Sequence, residues 1–226
     1  MIDSYDKLPL GRYLDLCAID PALPDIDRQV AMVSVLSGIP EDDLLNMPVP
    51  DYSALAVKTA FLGEEPPEPK ERIMREYRLG DLTLVPVTDV RRMTTAQFID
   101  FQTYVREPDG HEADILTVFL VPKGKRYNDG YDVADVRAAI LEHLSVTLAQ
   151  DLRAFFFGRC RTYALAILTY SGWRTRGIRD RETRKAMLDR IAEARTSLRA
   201  AGDGFAMLTR YPRPADAAGM RSGIWS

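Results

Sequence analysis

The stretch that most constrains this chain is VADVRAAILEHLSVTLAQDLRAFFFGRCRTYALAILT, residues 133–169, its longest apolar-periodic run. Phe155, Phe156 and Phe157 follow one another there, so a helix through them is hydrophobic nearly all round. A helix apolar on every side must be covered, either by neighbouring elements or by another subunit. The run therefore predicts a mainly α protein and points to packing and assembly more than to chemistry. Within it, Ser145 is expected to cap or kink the helix. SGWRTRG, residues 171–177, is expected to break it near Gly172.

Upstream, MTTAQFIDFQTYV (residues 93–105) places Phe98, Phe101 and Val105 on one helix face, with Ile99 and Tyr104 beside them. Thr94 and Gln97 read as a capping box at its start. KGKRYNDGYD (residues 123–132) must turn: Asn128-Asp129-Gly130 supplies positive φ, and Asp132 caps a helix from Val133. Tyr127 and Tyr131 are expected to anchor that loop. ADILTVFLV, residues 113–121, is either a short helix or a buried strand, which periodicity does not decide. RIMREYRL and LTLVPV flank Gly80-Asp81 as a β-hairpin, with Ile73, Tyr77 and Leu79 on one face. A lone hairpin is marginal, so it packs on the helices or adds to another chain's sheet.

The chain divides into four parts. Residues 1–62 form an acidic module of short helices, with Gly38 as a stop and Pro40 and Pro50 as starts. Residues 63–71 are a Pro/Glu-rich linker; residues 72–200 hold the hairpin and helical core. Residues 201–226 are a docking arm carrying Phe205, Tyr211 and Trp225, or a disordered tail. RDRETRKAMLDRIAEARTSLRAAG is the last helix, with Met187, Leu188 and Ile191 on one face.

Charge is uneven. Residues 1–70 hold 13 acidic and 5 basic side chains, a net of −8, against −3 for all 226 residues. An acidic head and a basic C-terminal third attract one another within one chain or between copies. A sequence pI near 5.5 is wrong for a dedicated nucleic-acid binder. Arg159, Arg161, Arg174, Arg176 and Arg179, with Tyr163 and Trp173 interleaved, still form a patch suited to nucleic-acid phosphates or to a neighbour's acidic module. Cys17 and Cys160 lie far apart and outside any metal or redox spacing, which suits a reducing compartment. No signal peptide or membrane span is expected.

Little else suggests chemistry. His111 sits in a loop with Asp109, Glu112 and Asp114, a spacing that matches no metal motif and suits a solvated loop. His143 reads as a helix-surface or interface side chain. Neither GxSxG, GxxxxGK[ST] nor GxGxxG occurs, and KGKRYNDGYD is out of register for an EF-hand. No enzyme, cofactor or metal site is expected.

DIDRQVAMVSVLSGIPEDDLLNMPVPDYSALAVKTAFL, residues 25–62, resembles the N-terminal pattern of tailed-bacteriophage tail assembly chaperones. FIDFQTYV, LTVFLVPKGKRYNDGYDVADV and the FFF triplet, within 98–157, are similar to proteins coded among the tail and virion genes of gut-bacterial phages. The long, basic, apolar C-terminal part and the hairpin depart from the chaperone pattern. The resemblance implies a non-enzymatic homo-oligomer in the host cytoplasm, binding a partner's hydrophobic helix, that of the tape-measure protein. Leu152, Phe155, Phe156, Phe157, Tyr163 and Leu165 would form the holding face. The departures leave room for a structural or packaged component of the virion, associated with portal or tail. A nucleic-acid-binding role through the arginine patch is the third reading.

Overall fold

The computed structural model describes residues 1–70, 72–106, 110–175, 180–193 and 196. Four short helices open the chain: α1 (Leu10–Cys17), α2 (Asp25–Ser37), α3 (Glu41–Leu45) and α4 (Val49–Val57). Each begins directly after a proline, whose fixed φ suits a helix entrance. Gly38 ends α2 at φ +74°, its N–H donating to Ser34 O at 2.8 Å. Glu41, Asp42 and Asp43 fill the first turn of α3, where negative charge meets the positive end of the helix dipole.

Strands β1 (Tyr77–Leu79) and β2 (Leu82–Pro86) form the expected hairpin about Gly80, which takes φ +57° at the first turn position. Residues 72–76 stay outside it, contrary to the longer expected strand, because the Met74 N–H is engaged by the Tyr77 hydroxyl at 3.0 Å. α5 (Thr95–Arg106) starts on a complete capping box: Thr94 N–H donates to Gln97 Oε1 at 2.9 Å, and Gln97 N–H to Thr94 Oγ1 at 3.1 Å. The ambiguous segment is both structures in turn. α6 (Glu112–Phe119) runs straight into β3 (Leu120–Pro122), which pairs antiparallel with β2, Val85 opposite Val121. The hairpin thus finds its third strand within its own chain, giving a small sheet in the order β1-β2-β3.

Asp132 caps α7 (Val133–His143), its carboxylate accepting from Ala134 N–H at 2.8 Å. The long apolar run then breaks at Leu144–Ser145, where Ser145 Oγ accepts from Leu148 N–H at 3.4 Å, and resumes as α8 (Val146–Thr175). Gly172 itself stays helical, and α8 as described ends three residues later at Thr175, within the SGWRTRG segment. One helical glycine costs only about 1 kcal/mol, which flanking helix readily offsets. Residues 181–193 are helical.

The core centres on α6, whose residues from Ala113 to Phe119 are all buried except Asp114. It packs against α5, α7 and α8. Leu8, Leu10, Tyr13 and Leu16 belong to that same core, as do Met32 and Leu36 of α2. The boundary expected at residue 62 is therefore corrected: the acidic stretch is built into the helical core. Only Val30, Val33, Leu44 and Ala56 make a separate small cluster, between α2, α3 and α4. The Pro/Glu segment lacks regular structure as expected, but it is tied down. Tyr5 hydroxyl donates to Glu64 O at 3.1 Å, and Lys70 N–H to Asp151 Oδ1 at 2.7 Å.

Gly11 marks the tightest approach. A Cβ built there would lie 2.9 Å from the Leu141 carbonyl oxygen on α7. Gly11→Ala should lower stability by about 1–3 kcal/mol through overpacking, although alanine is the better helix former by about 1 kcal/mol. A urea midpoint that rises, at unchanged slope, would show that α1 and α7 are not so closely apposed.

Candidate functional site

The phenylalanine triplet is turned largely into the chain's own core. Leu152, Phe156 and Phe157 are at most 3% exposed, and the Phe156 ring stacks on Phe119 with centroids 4.2 Å apart. Phe157 meets Phe101 of α5 at 6.2 Å. The holding face expected on these residues is corrected on this point: α5 and α6 already cover it. Phe155 is half-buried, edge-on to Phe156, with the Arg159 guanidinium 5.0 Å above its ring. Tyr163 and Leu165 continue the same helix, but their side chains lie outside the described residues.

Arg159 and Arg161 are exposed on α8. The rest of the arginine patch (the Arg174 side chain, Arg176 and Arg179) lies outside the described residues, as do Phe205, Tyr211 and Trp225 of the arm. On α5, Phe101, Tyr104 and Val105 pack inward, whereas Phe98 is 47% exposed, correcting its expected place on the core face. Gln97 takes the inward position instead, donating from Nε2 to Val118 O at 2.9 Å.

The most exposed large apolar side chains among the described residues are Leu45, Val49 and Val57, at 65%, 76% and 71%. Pro50, Ala54 and Val57 recur at i, i+4 and i+7 and are all exposed, so α4 carries an apolar stripe on the face opposite Leu55 and Ala56. This stripe lies within the segment of highest acidic excess.

A polar network bridges α5, α6 and α7. Asp114 accepts from Arg137 Nε at 2.8 Å and pairs with His111 Nδ1 at 2.9 Å; His111 in turn stacks on Tyr104 with centroids 5.1 Å apart. Asp109, expected beside them, lies outside the described residues. A carboxylate orienting an imidazole supplies two of the three members of a catalytic triad. No hydroxyl or thiol hydrogen-bonded to His111 stands among the described residues, nor does any metal-holding group of His, Cys, Asp and Glu. Burial pushes the Cys160 thiol up to about 12 and raises Cys17 as well, so both are protonated near neutral pH and poor nucleophiles. The network clamps three helices together. No helix among the described residues is long and apolar enough to cross a membrane.

A cavity of about 460 Å³ opens where the β2 end, the following loop, the start of α5 and the 125–127 loop converge. Val85, Val87 and Val121 supply apolar wall, while Arg92, Lys125 and Arg126 supply charge. Its lining comes from segments up to about forty residues apart, so no local motif signals it. The expected turn builds one wall, with Asn128 at φ 58° and Gly130 at φ 71°. Tyr127 anchors this loop as expected, its hydroxyl donating to Asp100 Oδ2 at 2.8 Å.

Burial and the Asp100 carboxylate both hold the Tyr127 phenol neutral, far above the ordinary tyrosine range. The unfolded phenol ionises near about pH 10, so the unfolded state loses its proton first, and stability falls as pH rises beyond that point. Tyr127→Phe should cost about 1–2 kcal/mol at pH 7. It should also flatten the loss of stability above about pH 10, measured as urea midpoint against pH. An alkaline slope equal to the parent's would show that this hydroxyl is not held neutral. No family model, curated protein or solved structure matches the chain.

Proposed function

We propose that this chain is a non-enzymatic protein of tailed-phage virion morphogenesis, acting as a tail assembly chaperone that holds an apolar helix of a partner. The partner implied by the resemblance is the tape-measure protein, engaged in the host cytoplasm as the tail is built. The holding surface is the α3–α4 face and not the phenylalanine face of α8. One observation carries this reading: Leu45, Val49 and Val57 stand exposed in the same segment, residues 25–62, that resembles the chaperones.

Physical chemistry fits such a role. An exposed i, i+4, i+7 stripe is the pattern by which two amphipathic helices meet. The net −8 over residues 1–70 selects a helix flanked by lysine and arginine and speeds its capture. The chain's own helix at 181–193 exposes Met187 and Leu188 beside Arg184, Lys185 and Arg190, which supports self-association into a homo-oligomer before a partner arrives. A structural or packaged virion component is the alternative, and it differs in where the protein ends up.

Leu45→Asp combined with Val57→Asp should leave stability within about 1 kcal/mol, since both side chains are exposed. It should cut co-purification of the co-expressed tape-measure protein at least tenfold. Undiminished capture by the folded double variant would refute the proposed face. Mass spectrometry of purified particles separates the two fates: a chaperone is absent from particles and abundant in lysate, whereas stoichiometric presence makes the chain a virion component.

A further inference from the structure

We infer that the cavity beside the start of α5 is a binding site for a small phosphorylated molecule, with its phosphate at Arg92, Lys125 and Arg126. The charge arrangement points there. Among the described residues none of these three cations makes an ion pair, in a chain that carries three more acidic than basic side chains. The acidic lining residue, Asp89, is already engaged, its two carboxylate oxygens each accepting from Arg91 at 3.0 Å. The three cations present their charge to one hollow, where only the single carboxylate of Asp89 answers them, and a bound dianion supplies the rest. Two of the three are arginines, whose planar forks match phosphate oxygens bidentately.

The volume sets the size of the ligand. About 460 Å³ falls within the range of small-molecule sites and is too small for a helix or a duplex. Thr88 and Thr94 line the cavity with further hydrogen-bonding hydroxyls, and Val85, Val87 and Val121 give an apolar surface for the rest of the molecule. A nucleotide-sized ligand meets both requirements.

The walls are fixed in advance, so binding need not order them. Val85 and Val121 face each other in the β2–β3 register, and Val87 N–H donates to Phe119 O at 2.8 Å. Lys125 N–H donates to Pro122 O at 3.0 Å, and Tyr127 holds the other end of the loop through Asp100. Gly130 leaves room for the lysine: a Cβ there would lie 3.2 Å from Lys125 Nζ.

Isothermal titration of the full chain at low salt, with AMP, adenosine and inorganic phosphate, tests the assignment. AMP should bind saturably, at least tenfold more tightly than adenosine and more tightly than inorganic phosphate. Lys125→Gln combined with Arg126→Gln, two exposed changes outside the core, should weaken AMP at least tenfold while leaving the melting temperature within a few degrees. Absence of saturable AMP binding overturns the inference. So does equal affinity for AMP and adenosine, or a folded double variant that binds as the parent does. AMP binding no tighter than inorganic phosphate overturns the role given to the valine wall.

Discussion

The fold depends on a short backbone pairing between the N-terminal segment and the point where the long apolar helix breaks. Leu10 N–H donates to Leu144 O at 2.8 Å, and Val146 N–H donates to Leu8 O at 2.9 Å, bracketing a bridge between Pro9 and Ser145. Breaking a helix in the interior strands carbonyls and amides from both new ends, and a buried stranded group costs about as much as a lost hydrogen bond. Here the chain's own beginning satisfies them. The Thr147 hydroxyl, donating to Asp6 Oδ1 at 2.7 Å, extends the attachment by another turn. Because the break is stabilised, α7 and α8 can each lie against α6; an unbroken helix would carry one of them away from it. The side chains at the junction, Leu8, Leu10, Leu144 and Val146, are all fully buried.

That arrangement explains why Phe156 and Phe157 of the triplet are buried. A helix apolar on all sides signals that it is surrounded, and here the surrounding elements come from the same chain: Phe119 on one side of Phe156, and Phe101 against Phe157. The most exposed large apolar side chains among the described residues stand where the chain packs thinly. Leu45 and Val49 flank the α3–α4 step, and Val57 lies on the outer side of α4.

What sequence reasoning captured was local. The capping box of Thr94 and Gln97, the Gly38 stop, the Asp132 cap and the Gly80 turn each depend on a few consecutive residues and elementary sterics. What it missed was set by distant partners. ADILTVFLV is apolar enough for helix or strand, and the choice falls to β2, whose free edge recruits only Leu120–Pro122. Phe98 gives up its expected inward place to Gln97, which caps the helix as expected and also supplies the donor that the buried Val118 carbonyl needs and phenylalanine lacks. The acidic stretch looked separate because its charges lie on the outside; its inward residues, Tyr13, Leu16 and Met32, complete the common core. The cavity had no local signature, since its valines and its cations come from different loops and strands.

The two proposed surfaces differ in how firmly the chain holds them, and the difference follows from where each is anchored. β3 leaves α6 without an intervening loop, so the valine wall of the cavity is continuous with the most buried helix of the molecule. A wall attached in this way can shift only if the core shifts, which suits recognition of a small rigid ligand. The α3–α4 face rests on the cluster of Val30, Val33, Leu44 and Ala56, with partly buried residues such as Met47 and Leu55 around it. So small an apolar cluster places α3 and α4 toward the low end of local stability, where segments open and reclose most easily. A segment that yields locally can adapt its stripe to an incoming helix while the N-terminal pairing keeps the rest of the chain folded.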